Sequence, residues 1–203
     1  MAPNQTIVNS GGAGSPLHYV WNTNPPPHPS TLQAEMPQFF ILGDQNVAKR
    51  VPRPPKFTHT IETFDGITFS TNGWPGVRVR DLLRGTVTID HSTDTIFAKH
   101  GWRETTLALE WPGYKPGSSD ASRRRIKTIH RGTNAPITRR DFAIEIADMI
   151  SELSRCARDK PVERGCEDWA FSQNKVHLSD VYILSAHYYR NVWVPELYVI
   201  NQT

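Results

Sequence analysis

Residues 138–158 read TRRDFAIEIADMISELSRCAR, and their spacing predicts a long amphipathic helix. Thr138 is placed to cap its N-terminus, and Asp141 three positions on completes a T-x-x-D capping box. Phe142, Ile146, Met149, Ile150 and Leu153 recur at helical spacing as one apolar stripe, while Glu145, Asp148 and Glu152 line the other side. Arg155 and Arg158 suit the negative end of the helix dipole, and Pro161 prevents continuation. A helix apolar on one side needs a surface to lie on, so the rest of the chain must supply one.

That surface is expected to be a sheet. Phe57, His59, Ile61 and Thr63 alternate with Thr58, Thr60, Glu62 and Phe64, the period of a half-buried strand. Asp65-Gly66 then reads as a turn and Ile67 resumes the run, which predicts a hairpin over 57–70. STNGWPG is a loop presenting Trp74, and VRVRDLLRG (77–85) a short helix ended by Gly85. TVTID (86–90) and TTLALEW (105–111) read as further strands. Near the end, Ser179 caps a short helix starting at Asp180, and VWVPELYV reads as an edge strand, because Pro195 lacks a ladder donor. The fold class is therefore α+β: a small, mostly antiparallel sheet packed against one long helix, with a Pro-rich N-terminal tail. The tail is residues 1–37, with a docked strand near 17–21 (LHYVW); residues 38–203 form a single α+β domain. QFFIL (38–42) is a strand or buried anchor, and VPRPPK (51–56) a stiff connector.

Composition narrows the function classes. The chain has 203 residues, a net charge of +3 and two cysteines, Cys156 and Cys166. Two cysteines ten positions apart make neither a secreted disulfide scaffold nor a zinc site. No charged and apolar leader precedes the Asn4 sequon, and no run approaches the ~18 apolar residues of a membrane span. The expectation is an intracellular protein, in cytoplasm or nucleus, that is not secreted and does not enter a membrane.

Chemistry-bearing residues are sparse. The eight histidines are scattered without H-E-x-x-H or C-x-x-C spacing, so no metal or cofactor is called for. No G-x-S-x-G is present, and neither cysteine lies where a thiolate is favoured. A hydrolase with dispersed acids and histidines stays open as one reading, with Glu62, Asp65 or Glu110 as guesses. The most concentrated signal is SSDASRRRIKTIHR (118–131), where Arg123, Arg124, Arg125, Lys127 and Arg131 fall close together. It is read either as a polyanion or RNA grip or, in preference, as a solvated loop approaching the helix, with Arg139 and Arg140 pairing with carboxylates. Trp74, Trp102, Trp111 and Tyr114 sit at expected strand ends, where large rings either anchor a protein partner or lid the core. The leading expectation is a non-enzymatic protein-interaction or self-association domain using these aromatics and the edge strands. Its mark would be an exposed apolar patch beyond roughly 600 Å².

Three short motifs carry a resemblance: Trp74-Pro75 before a valine-rich turn, Arg80-Asp81-Leu82-Leu83 in a helix, and Leu178-Ser179-Asp180-Val181 late in the chain. With the central helix, they resemble a domain family of unknown function expanded in mushroom-forming basidiomycete fungi. The likeness runs from about Phe57 to Ile200. It implies a non-secreted α+β domain and brings no catalytic residues with it.

Overall fold

The computed structural model describes residues 5–9, 17–21, 39–41, 46–58, 64–115, 122–172 and 174–200. In chain order the strands are β1 (Gln5–Asn9), β2 (Leu17–Trp21), β3 (Phe39–Ile41) and β4 (Val47–Arg50). Then come β5 (Ile67–Thr68), β6 (Ser70–Thr71), β7 (Trp74–Pro75), β8 (Val77–Arg78), β9 (Glu104–Ala108), β10 (Arg123–Lys127), β11 (Val181–Tyr189) and β12 (Val192–Ile200). The helices are α1 (Pro55–Thr58), α2 (Val79–Arg84) and α3 (Arg139–Ala157). The content is α+β, as expected, but the sheet is mixed and large. Among the described residues ten strands join it, with parallel pairings at β9–β12 and β2–β3. No helix among these residues is long and apolar enough to cross a membrane.

The organising element is the hairpin β11–β12, joined by the two-residue turn Arg190-Asn191. Each outer edge of the hairpin accepts two short segments. β5 and β8 dock antiparallel on β11, at Ser185–Ala186 and Tyr182–Ile183. On β12, β4 pairs with Tyr198–Ile200 and β9 meets Trp193. Beyond them, β10 extends β9, and β3, β2 and β1 extend β4.

A bulge sets which side chains face α3. The register of β11 shifts between Ile183 and Ser185. Strict alternation would put Ile183 opposite in face to Ala186 and Tyr188; the extra residue brings all three into the same core cluster. Phe142, Ile146, Met149 and Ile150 of α3 are fully buried in that cluster together with Trp193, Leu197 and Val199. Phe142 is the main knob, its ring 5.2 Å from Phe97 and 5.7 Å from Trp193, both edge to face. The capping box forms as predicted, with Asp141 N–H donating to Thr138 Oγ1 at 3.2 Å and Thr138 N–H donating to Asp141 at 2.7 Å.

Several expectations fail for identifiable reasons. Residues 57–58 are not strand: Pro55 opens the helical turn α1, where its fixed φ suits a first helical position, and Phe57 N–H bonds Pro54 O at 2.9 Å. Residues 59–63 of the expected hairpin lie outside the described residues, and β5 pairs with β11. TVTID is not a strand, because Thr86 turns back to bond Asp81 O and finishes α2, behind Gly85 at φ +67°. A 3₁₀ turn at Leu178–Asp180 replaces the helix expected from Asp180, with His177 rather than Ser179 at its N-terminal boundary. β12 is interior, not an edge. Pro195 is tolerated because it lies between Trp193, where β9 pairs, and Leu197, which accepts from Val51 N–H, so neither neighbour needs its missing donor.

The turn offers a test. Arg190 and Asn191 both have positive φ (+46° and +67°), which is disfavoured for a side chain such as arginine. Replacing the pair by Asn-Gly is expected to raise unfolding stability by about 1 kcal/mol, read as a higher urea midpoint at unchanged m.

Candidate functional site

The basic segment is a strand, which corrects the loop reading. Arg123–Lys127 pairs in register with Ala108–Glu104, and no other described strand joins its far edge. Strand alternation then divides the cations. Arg124 and Ile126 turn inward; Ile126 enters the core and Arg124 reaches α3, 2.6 Å from Glu152 and 3.6 Å from Glu145. Arg123, Arg125 and Lys127 turn outward, with 79% of the Arg125 and 52% of the Lys127 side chain exposed. Glu104 on β9 pairs with Lys127 and stands 3.8 Å from Arg125, so it offsets one charge of the row. The Lys127 ammonium holds the Glu104 carboxyl below its usual range. Arg131 is exposed on the turn that follows. Arg139 leaves the cluster, donating to Thr68 O at 2.6 Å and to Asp94 at 3.2 Å.

The aromatic residues turn inward. Trp111 is 3% exposed; its indole N–H donates to Trp169 O at 2.7 Å and its ring lies 4.5 Å from Phe171. Tyr114 is half-buried and its hydroxyl accepts from Phe171 N–H at 3.1 Å. These two fasten the chain's own 160–172 segment. Gly113 between them, at φ +79°, lies so close that an added Cβ would stand 2.3 Å from Val162. Trp102 packs among Phe64, His100 and Tyr188, with centroids 5.3, 4.6 and 5.1 Å away. Trp74 is half-buried in β7, above a turn whose Asn72 and Gly73 N–H groups donate to Asp90. Among the described residues from Asn46 onward, Phe64 is the one large apolar side chain that is exposed.

Sequence reading missed a polar seam on the sheet face away from α3. Glu196, 3% exposed, accepts from Arg50 through both carboxylate oxygens and from Arg53 at 2.8 Å. Across the hairpin from it, Ser185 Oγ and His187 Nε2 stand 2.9 Å apart. A serine and histidine at that distance would form a nucleophile and base if they opened to a cleft; Ser185 is fully buried, and the contact serves the seam. Burial pushes the Glu196 carboxyl up, and the two guanidiniums more than offset it, leaving it below its ordinary value. The signal was present as Glu196 between Pro195 and Leu197, an acid inside an apolar strand, but its partners lie more than 140 positions away. Glu110, guessed as a catalytic acid, pairs with Lys56; Asp65 is exposed, and Glu62 lies outside the described residues. Among the described residues no three His, Cys, Asp or Glu side chains converge to hold a metal.

Comparison with protein-family models, curated proteins and solved structures gives no match to this chain.

The seam makes a stability prediction. Glu196→Gln leaves two guanidiniums facing a neutral amide and is expected to destabilise by about 3 kcal/mol in urea at neutral pH. A carboxyl held below its ordinary value of 4.5 stabilises fully above that value, and the contribution is lost as pH falls through its depressed value. The wild type should therefore lose stability in acid more steeply than the Gln variant; parallel profiles would remove Glu196 as the cause.

Proposed function

We propose that this chain is a non-enzymatic, intracellular interaction domain that takes an extended acidic segment of a protein partner along β10. The observation carrying this reading is an edge strand, unpaired on one side among the described residues, that presents Arg123, Arg125 and Lys127 on its outward face. An extended peptide added to such an edge gains main-chain hydrogen bonds, and its side chains alternate with the same period of two. Acids at alternate positions then meet the three cations, each opposite-charge pair adding roughly 0.2–1 kcal/mol. Self-association by this edge is disfavoured, since two copies would align like charges. The family resemblance carried by Trp74-Pro75, Arg80–Leu83 and Leu178–Val181 remains part of this proposal and fits an intracellular module of this kind.

A second reading rests on the same row: RNA held by its phosphates. Arg124, turned to α3, is lost to that purpose, which leaves three contacts on the strand.

Fluorescence anisotropy with a labelled peptide of alternating glutamate and valine separates the two. The reversal Arg123→Glu, Arg125→Glu, Lys127→Glu is expected to weaken binding by about tenfold or more without changing the circular dichroism spectrum. Equal affinity in the variant would overturn the proposal. So would preference for single-stranded RNA, with log K falling against log salt at a slope of about −2 for three contacts.

A further inference from the structure

A second basic feature lies on the opposite flank of α3 from β10. The C-terminal half of α3, the helix α2 and residues 171–172 and 176–179 enclose a cleft of about 790 Å³. Four arginines line it: Arg80 and Arg84 from α2, Arg155 and Arg158 from the end of α3. All four are exposed, and none of them meets a carboxylate among the described residues. Among the described residues, its lining contains no acid. Two acids flanking it are engaged elsewhere: Asp81 stands 4.0 Å from Arg78, and Asp180 accepts from His177 N–H at 3.0 Å.

Folding alone does not account for this arrangement. Arg155 and Arg158 suit the negative end of α3, so the helix dipole explains those two. Arg80 lies in the first turn of α2, where a cation gains nothing from the dipole, and it joins a cavity already holding like charges. Four guanidiniums around one hollow repel each other unless an anion enters. Between them stand the hydroxyls of Ser151 and Ser154, donors of the kind that complete a phosphate's coordination, and Leu83 and Leu178 supply a patch of apolar wall.

We propose that this cleft binds a compact small molecule carrying two or more phosphate groups, independently of the partner edge on β10. Guanidinium forks match phosphate oxygens in pairs, and arginines from two helices approach the ligand from opposite walls. The apolar wall admits a modest organic portion. The same chemistry is offered by a soluble polyphosphorylated metabolite and by a multiply phosphorylated lipid headgroup.

Isothermal titration at low salt tests it, using inorganic tripolyphosphate and, separately, ATP. Vesicles of phosphatidylcholine with phosphatidylinositol bisphosphate supply the lipid arm. Tripolyphosphate is expected to bind and to raise the melting temperature, and Arg84→Gln and Arg155→Gln are each expected to weaken it about tenfold. Arg123→Gln with Arg125→Gln should leave it unchanged. Vesicle binding displaced by tripolyphosphate assigns the lipid source, and binding of the free anions alone assigns the soluble one. Absence of binding by every probe overturns the proposal, as does equal loss on changing the β10 arginines. Because the four arginines are exposed, circular dichroism should match wild type in every variant. Arg80→Gln provides a second, independent variant on the other helix.

Discussion

The structure depends on burying the α3 stripe against one face of the β11–β12 hairpin. Phe142, Ile146, Met149 and Ile150 leave water there, and among the described residues no other helix of comparable length covers that face. The bulge in β11 makes the fit possible. Without its extra residue, Ala186 and Tyr188 would turn away from the helix while Ile183 faced it, and the core would be split across two faces. The opposite face is thereby left to Ser185, His187 and Glu196, which explains why a buried acid with two arginine partners sits in a strand that is otherwise apolar.

The helix was legible in the sequence because everything that defines it is local: a capping box, a repeat of apolar residues at helical spacing and a proline beyond the end. The same holds for α2 and its Gly85 stop. The sheet was less legible because pairing is non-local. FTHTIETF alternates as a strand should, yet Pro55 makes its first residues a helical turn. VWVPELYV carries a proline that argues for an edge, yet the strand is interior because its two neighbours on one side leave a gap opposite that residue. Turn-rich composition before Arg123 concealed a strand whose alternation only becomes meaningful once β9 lies beside it.

Charge tells a similar story. The net charge of +3 is unremarkable, but folding sorts the arginines into distinct fates. Some are tied to carboxylates in or near the core, as Arg50, Arg53 and Arg124 are. Others gather on two separate surfaces, the β10 edge and the α2–α3 cleft. Sequence adjacency pointed to the first surface and overstated it by counting Arg124. It could not point to the second, because Arg80 and Arg155 are distant in the chain and meet only through helix packing. The aromatics show the converse. Trp111 and Tyr114 looked available for a partner, and they are committed to holding the chain's own 160–172 segment.

The hairpin that receives β4, β5, β8 and β9 is made after all of them. On a ribosome, which delivers the chain from its N-terminus, those four segments emerge with the edges that meet the hairpin unsatisfied and the α3 stripe uncovered. Among the described residues, the β11 and β12 side chains of the core come only after Val181 is reached. Native assembly must therefore wait for synthesis to pass Ile200, and a nascent chain arrested between Ala157 and Val181 would be a ligand for chaperones rather than a partly built domain.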